Sequence, residues 1–145
     1  MSTDSRVQAL HQLQSILELV HDYNKDPDGY AAQRIHEDPL CVEYRAADWS
    51  LEAGPRKPDE YRVLLCTGGP AVAIVGSLLD DGSPTGAYRL VHQDWGEPWR
   101  ELYLDADSDE ILGDLPADLS AAIKERAGYL DTLVRTYIDL LVYAG

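Results

Sequence analysis

Tyr61-Arg62-Val63-Leu64-Leu65-Cys66-Thr67-Gly68-Gly69-Pro70-Ala71-Val72-Ala73-Ile74-Val75-Gly76-Ser77-Leu78-Leu79 decides the fold class. Residues 61–67 and 71–79 each read as a strand, and Gly68 and Gly69 between them supply the positive φ that a tight hairpin needs. The second strand is apolar on both faces, as expected of a central strand covered on both sides. Working outward, Leu40, Val42 and Tyr44 alternate with Cys41, Glu43 and Arg45, the period of a half-buried strand. Downstream, residues 80–86 form a turn and residues 87–95 a fourth strand. Gly96 and Pro98 break that strand, and residues 99–104 are the candidate fifth.

Helices flank this sheet. In residues 4–23, Val7, Leu10, Leu13, Leu17 and Val20 recur at steps of three and four, with Asp4 or Ser5 as cap. Residues 24–29 end that helix, residues 30–37 form a short second one, and Pro39 extends the chain. Residues 50–59, with Gly54, Pro55 and Pro58, read as a loop, and the polar stretch before residue 118 as another. Leu119, Ile123, Ala127, Leu130, Val134, Tyr137 and Leu141 mark one face of a long helix over 118–143. The expected fold is therefore α+β: a four- to five-stranded antiparallel sheet with N-terminal helices and a long C-terminal helix, in one domain over residues 1–145.

Composition restricts the partners. The 145 residues carry 26 acids against 12 bases, a formal charge of −14, with 45% hydrophobic residues. A phosphate-contacting protein needs a basic stripe, so direct nucleic-acid binding is disfavoured, as is docking on an anionic membrane. No basic segment followed by an apolar run opens the chain, and no run approaches a spanning length, so the expectation is a cytoplasmic protein. Aspartate outnumbers glutamate 17 to 9 and arginine outnumbers lysine 9 to 3. Salt adaptation produces the same acidic bias and stands as an alternative source of the charge. Cys41 and Cys66 sit in apolar runs and read as reduced, buried thiols.

No catalytic residue, metal ligand or cofactor is assigned. Cys66, His92 and Asp94 are the parts of a nucleophilic triad, but a meander sets Cys66 two strands from His92, about 9–10 Å away. His92 then reads as a half-buried histidine on a sheet face. The loop at residues 66–70 has no lysine and is followed by a strand, which excludes a phosphate-cradling loop. Asp105, Asp107 and Asp109 match the first positions of a calcium loop, but Glu110 and Pro116 stand where its glycine and its glutamate belong. His11, His21, His36 and His92 have no zinc-type spacing.

The charge itself is the main signal. Glu101, Asp105, Asp107, Asp109, Glu110, Asp114 and Asp118 lie between Arg100 and Lys124 without an intervening base. One reading is a solvated loop. The other is a negative patch for a basic partner, in which Asp105, Asp107 and Asp109 on extended chain stand about 6–7 Å apart, close to the spacing of successive phosphates. Trp95 and Trp99, just upstream, are candidate anchors beside that patch.

The motif from Glu60 to Val72 (Glu-Tyr-Arg-Val-Leu-Leu-Cys-Thr-Gly-Gly-Pro-Ala-Val) with residues 93–99 (Gln-Asp-Trp-Gly-Glu-Pro-Trp) resembles a family of small proteins on prophages, plasmids and integrative elements of bacteria. The resemblance covers a little under half of the chain, from about Ile35 to Tyr103, and the long C-terminal helix departs from shorter members. It implies a mobile-element setting and assigns no activity to particular residues. By analogy, a small acidic protein there is expected to be an anti-defence factor of the anti-CRISPR type. It would act as a DNA mimic on a basic nucleic-acid-binding protein or CRISPR effector complex. The alternative expectation is a structural or assembly module that pairs with itself, as a homodimer, or with another subunit through Ile138, Leu140, Leu141 and Val142.

Overall fold

The structure, a computed structural model, describes residues 5–46, 58–68, 70–104 and 108–143. Asp4, Gly69, Asp105, Asp107 and most of the loop expected over 50–59 lie outside these. The elements run α1 (Ser5–Lys25), α2 (Tyr30–Glu37), β1 (Cys41–Arg45), β2 (Glu60–Cys66), β3 (Ala71–Leu78), β4 (Pro84–Gln93) and β5 (Arg100–Leu102). Then follow α3 (Ser108–Gly113), α4 (Ala117–Glu125) and α5 (Tyr129–Leu141). The five strands pair antiparallel in the order β1-β2-β3-β4-β5. This is the α+β architecture expected, with N-terminal helices, a five-stranded antiparallel sheet and C-terminal helices.

The period-two pattern builds the core directly. Val42 stands opposite Val63, Val63 opposite Ile74, Ile74 opposite Leu90, and Leu90 opposite Leu102. From Val63 onward this row is buried, and it meets Ala9, Leu13, Ile16, Leu17 and Val20 of α1 and Leu133, Val134, Tyr137 and Ile138 of α5 in one cluster. Burying each such Leu or Ile is worth about 1.5–3 kcal/mol relative to exposure. Gly76 in β3 is required by packing. A Cβ there would come within 2.6 Å of the Tyr61 ring and 2.8 Å of the Ala87 carbonyl.

The opposite sheet face carries cross-strand ion pairs. Glu43 accepts from Arg62 at 2.8 Å and Glu60 from Arg45 at 2.6 Å. The arginine holds the Glu43 carboxyl below its ordinary range by hydrogen bonding. Such exposed pairs are worth about 0.2–1 kcal/mol each.

Three local expectations change. The long helix over 118–143 is two helices: Arg126 is extended (φ −115°, ψ 107°) and Gly128 adopts φ +75°. The apolar steps run on across this break because Ala127 keeps the spacing, whereas Gly128 accepts the left-handed conformation that ends a helix. The acidic stretch expected as a loop contains α3, anchored by the buried Ile111, with Leu115 buried behind it. Finally, β4 runs from Pro84 to Gln93 and β5 from Arg100 to Leu102, which leaves Trp95 in a turn instead of a strand.

Candidate partner-binding surface

The structure divides the sequence-predicted surface in two. Glu101 lies on β5, on the open sheet face, 3.9 Å from Arg89. Trp99, 41% exposed, is on that side too, lining a groove of about 510 Å³ with Arg62, Ala73, Val75, Arg89 and Val91. Asp109, Glu110, Asp114 and Asp118 lie on the helical side, where residues 108–118 run along α1.

The base-free stretch is not base-free in space. Arg6, in the first turn of α1, grips Glu110 with both guanidinium nitrogens at 3.0 and 2.9 Å. At the far end of the helix, His21 and Lys25 meet Asp118 Oδ2 at 2.8 and 3.1 Å. These two bonds hold the Asp118 carboxyl far below the ordinary aspartate range. Between these anchors, Gln14 donates to the carbonyl of Ile111 at 3.1 Å. His21 lies fifteen residues along the helix from Arg6, so α1 tethers this segment over about 22 Å. Asp109 and Asp114 are exposed and enter no ion pair among the described residues. Asp109 belongs to α3, so the extended phosphate-like spacing does not run through it.

Trp95 is 84% exposed, and its turn is built to hold it there. The Glu97 N–H donates to the Asp94 carbonyl at 3.0 Å, closing a four-residue turn with Trp95 at its corner. Gly96 has φ +77°, the value the third position of a type II turn demands. The Gln93 side chain donates to the Glu97 carbonyl at 2.6 Å. The Asp94 carboxylate reaches across to α1, accepting from the Ser5 N–H at 3.0 Å (Oδ1) and from the Ser5 hydroxyl at 3.0 Å (Oδ2). A carboxylate at a helix N-terminus satisfies an orphan N–H and complements the macrodipole. The cap expected from Asp4 or Ser5 therefore includes a contribution from 89 residues downstream.

Ser5 also lies 2.8 Å from His92 Nδ1, and both residues are buried. The histidine expected to be half-buried is thus inside. The constellation differs from a nucleophilic triad in order, because the serine stands between carboxylate and imidazole. With its single proton directed to Asp94, Ser5 Oγ accepts from Nδ1–H. Cys66 takes no part. Its thiol donates to the Pro70 carbonyl at 3.8 Å, burial pushes its pKa up, and the register Cys66–Val72–His92 keeps it two strands away. Cys41, expected to be buried, is exposed, because β1 is the edge strand and Cys41 points to the open face.

The residues proposed for self-association are largely consumed by the fold. Ile138 and Val142 are buried, and Leu140 and Leu141 pack against the core. The helix break opens a groove of about 870 Å³ between β4–β5 and the α4–α5 turn, walled by Tyr88, Leu102, Ile123 and Tyr129. Among the described residues, no group of three His, Cys, Asp or Glu side chains is placed to hold a metal, and no helix is long and apolar enough to cross a membrane.

Sequence reasoning missed Ser5 and Arg6 as parts of this surface. Their partners, Asp94 and Glu110, are 89 and 104 residues away, and a single chain gives no signal for such pairs. The Asp-x-Gly order of residues 94–96 was the one local clue to the turn. Compared with protein-family models, with curated proteins and with solved structures, the chain matches none.

Proposed function

We propose that this protein is a non-enzymatic inhibitor that binds a basic, nucleic-acid-handling partner through the N-terminal end of α1, with a CRISPR effector complex as the partner class. The observation that carries this reading is the flanking of one helical turn by an aromatic anchor and a carboxylate cluster. Ser5 ties down the turn bearing Trp95, and the adjacent Arg6 ties down α3 with Asp109 and Glu110. An exposed tryptophan on a hydrogen-bonded turn near carboxylates suits a partner that offers an apolar slot rimmed by arginine or lysine. The mobile-element context comes from the resemblance of residues 60–72 and 93–99. Of the five acids of this stretch among the described residues, Glu101, Glu110 and Asp118 face bases of this chain, so the reading rests on Asp109, Asp114 and Trp95 rather than on a phosphate-like row.

The test is affinity capture on the immobilised protein at low and high salt. The nucleic-acid binding of any captured complex is then measured with and without the protein. The expected result is capture that weakens as salt rises, loss of nucleic-acid binding by the partner, and failure of Trp95→Ala/Asp109→Lys/Asp114→Lys in both. Capture insensitive to salt and to the triple substitution refutes the reading.

A further inference from the structure

We infer that Ser5 is a positioning residue for Trp95, acting through Asp94: the buried start of α1 immobilises the turn that carries the anchor. The inference rests on the proposed role of Trp95 in partner binding. Its geometry stands apart from that role. An 84%-exposed indole has almost no packing of its own, so its placement must come from the backbone that bears it. That backbone is held at separate points. Glu97 N–H closes the turn onto the Asp94 carbonyl, the Gln93 amide fastens the Glu97 carbonyl, and the Asp94 carboxylate is bonded twice to Ser5.

Of these links, the last is the one that reaches α1. Ser5 is 1% exposed, and its hydroxyl also receives His92 Nδ1–H from β4, so the clasp is anchored in the sheet as well as in the helix. Without it, the ties of residues 94–97 to the fold among the described residues are the chain itself, through the end of β4 and Pro98, and the exposed Glu97–Arg100 ion pair at 3.1 Å. A partner that inserts Trp95 into a slot gains from this arrangement because the ordering cost is met before binding.

The experiment measures backbone ¹⁵N order parameters of the free protein in wild type, Ser5→Ala and Asp94→Ala. Leu133→Ala, a core change in α5, serves as the control for lost stability. Wild-type Trp95 and Gly96 are expected near S² of about 0.85, falling below about 0.6 in both clasp variants and unchanged in the control. Should either alanine variant unfold, Asp94→Asn keeps an oxygen toward the Ser5 N–H, and its Trp95 S² is expected to lie between those limits. With a captured partner in hand, Ser5→Ala is expected to weaken binding in the wild-type background and to add nothing to Trp95→Ala. Order at Trp95 that is equal in all variants, or already low in wild type, overturns the inference whatever the capture yields. Intact order changes with no partner captured would instead count against the function proposed above.

Discussion

Tyr61 and Tyr137 are buried and Tyr88 is half-buried, and removing the hydroxyl oxygen from each is expected to change stability with opposite signs. Tyr137 donates to Asp38 Oδ2 at 2.7 Å and Tyr88 to Asp131 Oδ1 at 2.6 Å. Tyr61 is 2% exposed, and its hydroxyl has no hydrogen-bond partner among the described residues. A hydrogen bond to a charged group is worth about 1.5–3 kcal/mol, so Tyr137→Phe and Tyr88→Phe are each expected to lose about 2 kcal/mol. Burying an unpartnered hydroxyl costs about 1–3 kcal/mol. Tyr61→Phe removes that penalty and leaves a gap of one atom, whose lost dispersion offsets part of the gain. The net expectation for Tyr61→Phe is stabilisation by about 1 kcal/mol. Urea unfolding with an unchanged m value reads these differences from the midpoint, and the melting temperature should move about 2–4 °C per kcal/mol. A Tyr61→Phe variant that loses as much as Tyr137→Phe would show that the hydroxyl is satisfied and refute the argument.

Burial raises the pKa of these same three phenols. A group raised in the folded state loses its proton first in the unfolded one, so its stability contribution is full below about pH 10 and falls above it, by about 1.4 kcal/mol per pH unit for each tyrosine. Circular dichroism in urea from pH 9 to 12 checks this, and a midpoint that stays level contradicts it. Asp118 works in the opposite sense: its depressed pKa stabilises above about pH 3.9 and is lost as acid is added, so Asp118→Asn is expected to flatten the fall of the urea midpoint in a separate titration from about pH 5 to about pH 2. Gly128→Ala meets no atom within 4 Å of the new Cβ, so its expected cost is the left-handed backbone alone, about 1–2 kcal/mol in urea unfolding. A neutral or stabilised variant would mean that α4 and α5 can join. In native protein a disulfide reagent is expected to label Cys41 at once and Cys66 only slowly, and equal rates would contradict their different burial.

The sheet was legible because its signals are local. The strands holding Val63, Ile74 and Leu90 stand out as short apolar runs between turn residues, and Gly68 and Gly82 mark turns that the structure closes with positive φ. The helix break at Gly128 was hidden because periodicity continues through Ala127, so the apolar face looked uninterrupted while the backbone turned. The acidic stretch was misjudged for a related reason. Lack of bases along 101–123 says nothing about Arg6, His21 and Lys25, which α1 brings alongside.

The order of residues by itself determined the fold class, the meander and the excess of negative charge, because each follows from local periodicity, from turn residues and from counting. Tertiary structure alone decided which carboxylates are neutralised, that Trp95 and Trp99 sit on different surfaces, and that a serine at the start of the chain fastens a turn 89 residues later. Those are pairings across space. Hydrogen bonds and ion pairs act over about 3 Å, and only the folded chain brings such distant residues within that reach.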